Sequence, residues 1–219
     1  MLKNHSYRPD ESEIVETRGV VEGVFSAVRA FSKEGDGVIM LTPVYYPLYR
    51  AIFFNNRKLL DCPLIPTEKG YRIDFDLFEK LAKEASLFIL CSPHNPTGRV
   101  WTEEELKKLG DICLENGVFI ISDEIHMDIT MKGYTHKMFP SICEDFANNS
   151  VVFTSPSKSY NLAGLQTSNA FVKNEEKRLA LLKALANSFA FNECGVIGYQ
   201  ACSVAYTQCE NWLKEALDV

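Results

Sequence analysis

The sequence has 219 residues, 46% apolar and 24% charged, with a formal net charge of −6. That length suffices for one large domain with its own core, or for one domain and part of another. The acidic balance and the lack of any Lys/Arg cluster argue against nucleic-acid binding, and no apolar run reaches membrane-spanning length. The polar start MLKNHSYRPDESE lacks the apolar stretch of a secretory signal. Seven cysteines, Cys62, Cys91, Cys113, Cys143, Cys194, Cys202 and Cys209, are scattered with no CxxC pair. They read as reduced, mostly buried thiols of a cytoplasmic protein rather than as a disulfide framework.

In VVEGVFSAVRAFS the apolar residues recur at helical spacing, which predicts a helix ending near Gly35. GVIMLTP is a short apolar run between Gly37 and Pro43, and so a buried strand. YPLYRAIFFNN reads as a helix and KLLDCPLI as a strand. DFDLFEKLAKEA is a helix with Asp74 placed to cap it. SLFILCSP is another buried strand, stopped by Pro93. TEEELKKLGDICLENG carries the capping-box pair Thr102 and Glu105 at its start and Gly117 at its stop. VFIISDE and SVVFTS are strands, while EEKRLALLKALAN and the span from Val196 to Leu217 are helices. Helices and near-continuously apolar strands alternate. Strands covered on both faces predict an α/β protein, with a three-layer, mostly parallel sheet and right-handed crossovers.

In such a sheet, ligands bind beyond the carboxyl ends of the strands. The segments leaving those ends are TPVYYP, CSPHNPTG, SDEIHMD and TSPSKS, and the helix before the first strand begins near TRGVVEG. They offer an aromatic ring (Tyr45 or Tyr46), the amide of Asn95, the carboxylate of Asp123 and the imidazole of His126. They add the hydroxyls of Ser155 and Ser157 and the amine of Lys158. An amine can form a Schiff base with an aldehyde cofactor, and a carboxylate can hold a protonated pyridine nitrogen, making the ring an electron sink. An amide and an imidazole can bond a phenolate oxygen, and an aromatic ring can stack on the pyridine face. A helix N-terminus opened by Gly19 can bind a phosphate through backbone N–H groups. The set fits pyridoxal 5′-phosphate.

Taken singly, each residue has a plainer reading. Lys158 is a solvated loop lysine, Asp123 a helix cap, Asn95 a turn residue before Pro96, and His126 a structural histidine. Cys91 with His94, and Asp123 with His126 and Asp128, have ligand-like spacing. No second close Cys/His pair completes a set, so no metal site is predicted. The combination, not any one residue, carries the signal.

SPHNPTG, SDEIHMD and SPSKSYNLAG, in this order, resemble the fold type I pyridoxal-phosphate enzymes of the aspartate aminotransferase superfamily, class I/II. The histidine of SDEIH and the Trp-Thr pair of GRVWTEEEL resemble more narrowly its MalY/PatB branch, the cystathionine β-lyases or carbon–sulfur β-lyases. The resemblance runs over essentially the whole chain. It implies that Lys158 is the Schiff-base lysine and the catalytic base, that Asp123 pairs with the pyridine nitrogen, and that Asn95 and His126 meet the cofactor's O3′. Tyr45 would stack on the ring. Ser155, Ser157 and the backbone of Gly19, Val20 and Val21 would meet the phosphate. Gln166 stands where many superfamily members carry an Arg or Lys on that phosphate. Residues 1–219 would be the cofactor-binding large domain of a homodimer, with the small C-terminal domain outside the sequence. The implied reaction splits L-cystathionine, or a related cysteine S-conjugate, into a thiol, pyruvate and ammonia. An amino-acid aminotransferase, or an inactive cofactor-domain fragment, would share the same visible residues.

Overall fold

The computed structural model describes residues 5, 7–68, 70–188 and 194–218. Strand β1 (Ile14–Thr17) leads to helix α1 (Val20–Phe31), β2 (Gly37–Thr42), α2 (Tyr46–Phe53) and β3 (Lys58–Pro63). A small ribbon of β4 (Ile65–Thr67) and β5 (Gly70–Arg72) follows, then α3 (Phe75–Ala82), β6 (Ala85–Cys91), α4 (Glu103–Glu115) and β7 (Phe119–Asp123). The chain continues through α5 (Glu144–Asn148), β8 (Ser150–Thr154), the single turn α6 (Pro156–Ser159), β9 (Ser168–Phe171) and α7 (Glu175–Ala186). It ends with α8 (Val196–Gln208) and α9 (Glu210–Leu217).

Seven strands form one sheet in the order β1-β9-β8-β7-β6-β2-β3. The five from β8 to β3 run parallel, and β9 is antiparallel to both of its neighbours. Side chains alternate faces along a strand, so a doubly covered strand needs apolar residues throughout. GVIMLT shows this, with all six residues buried. Met40 joins Val24 and Val28 of α1, Leu48 of α2 and Leu181 of α7 on one face. Its neighbour Ile39 joins Phe78 of α3, Leu106 and Leu109 of α4 and Phe146 on the other. That is the three-layer sandwich expected from the sequence.

The helix caps fall where their residues predict. Asp74 Oδ1 accepts from the Leu77 N–H at 3.1 Å. Thr102 Oγ1 accepts from the Glu105 N–H at 3.2 Å, and Glu105 Oε2 accepts from the Thr102 N–H at 2.9 Å. Gly117 follows α4 with φ of 67°, in the left-handed region that favours glycine.

Three departures have local causes. β1 and β9 were not expected: IVET and SNAF are four residues each and partly polar, too short to show a period of two. KLLDCPLI is not one strand: β3 stops at Pro63, the Leu64 N–H makes one last bond to the Thr42 carbonyl at 2.8 Å, and Ile65 starts the separate ribbon. The helix expected from Val196 to Leu217 breaks at Cys209, at φ −107° and ψ 20°. No described helix is long and apolar enough to cross a membrane. All seven cysteines are free, four of them buried and Cys143 exposed.

Candidate active site

Cys91, Asp123 and Phe153 are register partners near the carboxyl ends of β6, β7 and β8. The loops that follow are therefore neighbours. Asp123 is only 4% exposed. Its backbone carbonyl accepts from the Ser92 N–H at 2.9 Å, and its Oδ1 accepts from the Ile125 N–H at 3.2 Å. Burial pushes the Asp123 carboxyl up to about 6; the charge of Glu124 adds to this, while the Ile125 N–H and the charge of Lys158 pull it down. Among the described residues, Oδ1 alone of the two carboxylate oxygens is hydrogen-bonded.

The loop after β6 is braced from within. His94 Nε2 lies 3.1 Å from the Leu41 carbonyl, which can only accept, so the ring proton sits on Nε2. Nδ1 then accepts from the Thr97 hydroxyl at 2.8 Å. Burial lowers this imidazole to about 4, so it is neutral near pH 7. With both nitrogens committed, His94 is not free to join Cys91 on a metal. Trp101, 1% exposed, donates from Nε1 to the Cys91 carbonyl at 2.9 Å and stands edge-on to His94. The arch presents Asn95, whose carbonyl accepts from the Tyr45 N–H at 3.0 Å. Tyr45 is thereby tied to the same place. It is half-buried, whereas Tyr46 is 61% exposed, so Tyr45 is the better of the two for a stacking role. Burial raises the Tyr45 phenol, with further contributions from Tyr46 and Asp123.

His126 and Asn95 line one cavity of about 380 Å³, together with Pro93, Pro96, Ile129 and Tyr134. Burial, helped by the charge of Lys158, lowers the His126 imidazole and favours its neutral form. Lys158 itself lies in α6 and is exposed. Ser155 caps that turn: its Oγ accepts from the Ser157 N–H at 3.1 Å and donates to the Thr167 carbonyl at 2.6 Å. At 1% exposure, Ser155 acts as scaffold, and half-buried Ser157 is the more accessible hydroxyl.

Gly19 precedes α1 with φ of 113°, and nothing lies within 4 Å of where a Cβ would stand. Its N–H donates to Ser168 Oγ at 3.1 Å, so it is already engaged within the chain. The N–H groups of Val20 and Val21, in the first turn of α1, have no partner within the helix by their position. Gln166 is exposed and left-handed, with φ of 48°. Sequence reasoning missed Ser168 and Thr17, whose hydroxyls pair at 2.5 Å and brace this turn. It weighed Asp128 only as a metal ligand.

The model of the family "Aminotransferase class I and II" matches residues 3–216. The chain belongs to this family. Cystathionine beta-lyase PatB of Bacillus subtilis is 39% identical over 219 residues, 99% of this chain and 56% of PatB. Protein MalY of Escherichia coli is 35% identical over 207 residues, 93% of this chain and 52% of MalY. The crystal structure of cystalysin from Treponema denticola, which contains a pyridoxal 5′-phosphate cofactor, matches with a TM-score of 0.97 at 42% identity. It covers 100% of this chain and 56% of that one. The pyridoxal-phosphate-bound C-S lyase of Staphylococcus hominis matches at 0.91 and 34%, over 99% of this chain and 55% of that one. This member of the aminotransferase class I and II family thus spans about half the length of the relatives it matches.

Proposed function

We propose that residues 1–219 form the cofactor-binding domain of a pyridoxal-phosphate-dependent carbon–sulfur β-lyase that works as a homodimer. Its substrate is L-cystathionine or a related cysteine S-conjugate, and its products are a thiol, pyruvate and ammonia. The observation that carries this reading is the Asp123 carboxylate, nearly buried at a strand's carboxyl end with one oxygen unbonded among the described residues. A carboxylate largely removed from water is stabilised by a cation at its free oxygen. A protonated pyridine nitrogen is such a cation, so the residues present fit this group.

When bound, pyridoxal phosphate supplies an electron sink for negative charge at the substrate's Cα. Asp123 would keep the ring nitrogen protonated. Lys158 holds the amine that would anchor the cofactor and take the Cα proton. Asn95 and neutral His126 stand on one wall, suited to donate to O3′. Tyr45 offers a ring face. The first turn of α1 would offer the Val20 and Val21 N–H groups and positive helix-end charge to the phosphate, with the Gly19 N–H held by Ser168. Ser157 adds a hydroxyl, and Ser155 holds the turn that presents it. With Gln166 in place of a cation, the phosphate would rest on neutral donors and the helix end.

The β-lyase is preferred to an aminotransferase because the β-lyase PatB is 39% identical over 99% of this chain, against 34% over 75% of it for the probable aspartate/prephenate aminotransferase of Aquifex aeolicus. The test is the visible spectrum of the purified chain with pyridoxal phosphate, followed by borohydride reduction and mapping of the labelled peptide. A reduced adduct on Lys158 supports the cofactor reading, whereas label spread over surface lysines sinks it. Pyruvate and thiol released from cystathionine would then establish the lyase; a keto acid formed without thiol would establish the aminotransferase.

A further inference from the structure

The segment that carries Lys158 is one turn long, Pro156–Ser159. A single turn does not hold itself, because helix nucleation costs more than one hydrogen bond returns. Lys158 is exposed, so packing around its side chain does not fix it either. The two ends of the turn must do so. The front end is tied by Ser155, which reaches Thr167 just before β9.

The back end is tied by Asp128. Ser159, 2% exposed, donates to Asp128 Oδ2 at 3.0 Å. The Tyr206 hydroxyl of α8 donates to the same oxygen at 3.4 Å. His5 Nε2 lies 2.8 Å from Oδ1, and the His5 and Asp128 side chains are 8% and 7% exposed. One buried carboxylate thus gathers three groups from three distant segments. Tyr160, next after Ser159, packs against Tyr206 and Trp212, which closes the same corner.

The place of Asp128 in the chain matters as much as its contacts. It lies five residues after Asp123 and two after His126, in the segment SDEIHMD. The loop that sets Asp123 and His126 in the crevice therefore also grips the turn of Lys158. We propose that Asp128 is a positioning residue: through Ser159, its carboxylate fixes the turn of Lys158 relative to Asp123 and His126. The clamp itself stands on the geometry, and its consequence for the cofactor rests on the reading given above.

The test uses the full chain with Ser159→Ala, which removes one hydroxyl, and Asp128→Ala, which removes the hub. Amide exchange reads the clamp without cofactor. The reporters are the N–H of Tyr160, bonded to the Pro156 carbonyl, and the N–H of Leu162, bonded to the Ser157 carbonyl. Both variants are expected to speed exchange there about tenfold while the amides of β6 and β7 keep their protection. Borohydride labelling of Lys158 at limiting pyridoxal phosphate is expected to fall about tenfold, and the visible band of the loaded chain to weaken or move. The double variant should do no more harm than Asp128→Ala alone. Unchanged exchange at both reporters in a folded Ser159→Ala chain would overturn the clamp. Unchanged Lys158 labelling despite faster exchange would overturn the positioning role. Faster exchange with no labelling even in the parent chain would uphold the clamp and remove the cofactor reading.

Discussion

Asp123 and Cys91 face each other across the parallel rung of β7 and β6, and burial raises the pKa of both acids. Neither is comfortable as an anion without a partner. The thiol solves this by staying protonated. The carboxyl, displaced from 3.8 to about 6, is ionised near neutral pH at a cost to the fold.

That cost has a sign that can be measured. Asp123 keeps its proton to higher pH folded than unfolded, so between about pH 4 and 6 the folded state binds more protons. Its contribution to stability falls as pH rises through that window and is fully unfavourable above it. The displacement corresponds to about 3 kcal/mol. Asp123→Asn is expected to stabilise the cofactor-free chain by about 1–3 kcal/mol near pH 8 and to change little near pH 4. The same variant should lose at least about tenfold in pyridoxal-phosphate affinity. Urea melts at the two pH values decide it, and a stability difference independent of pH would refute the argument.

Lys158→Ala should move two other groups in one direction. The lysine charge lowers both Asp123 and His126. Without it, both titrations are expected to rise, Asp123 further above its ordinary range and His126 back toward its own. NMR titration of the Asp carboxyl carbons and His ring protons reads both. If neither moves, the amine does not face the crevice.

Much of this site was legible because the carboxyl-end rule turns a loop's place in the sequence into a place in space. Asp123, Asn95 and Lys158 each follow or close an apolar run that forms a parallel strand, so their place at one end of the sheet needed no contact information. What stayed hidden depends on partners far along the chain. The Gly19 N–H is taken by Ser168, 149 residues away, through the β1–β9 pairing that four-residue strands do not announce. Asp128 meets His5 across 123 residues. Periodicity reports which face a residue takes, and it says nothing of which side chain waits there.

Gly23 tests the seating of α1, the helix proposed to meet the phosphate. It lies in the second turn of α1, and a Cβ there would stand 2.3 Å from the Phe153 ring of β8. Alanine gains about 0.5–1 kcal/mol of helix propensity over glycine. Overpacking a filled core costs about 1–3 kcal/mol, so the clash should win. Gly23→Ala is expected to destabilise the chain by about 1–2 kcal/mol and, by lifting the N-terminus of α1, to weaken pyridoxal-phosphate binding. A thermal melt and a cofactor titration report the two effects separately, and a variant as stable as the parent would show that α1 is not tightly seated.

Trp101 braces the opposite wall. Its indole N–H satisfies the Cys91 carbonyl, its ring meets His94 edge-on at 5.5 Å, and Arg99 lies over it at 4.9 Å. Trp101→Phe keeps a ring in the core but leaves a buried carbonyl without its donor and a gap where the indole was. The unmade hydrogen bond alone costs about 1–3 kcal/mol. The fold has a large core on that face, including Phe78, Phe88 and Phe139, so it should survive the loss. The arch, which rests on a few bonds, should suffer more. We expect the variant to lose about 2 kcal/mol in urea unfolding. The amides of His94 and Gly98, paired within the arch to Arg99 and His94 carbonyls, should exchange faster. Equal exchange at those two amides would show that the arch stands without Trp101.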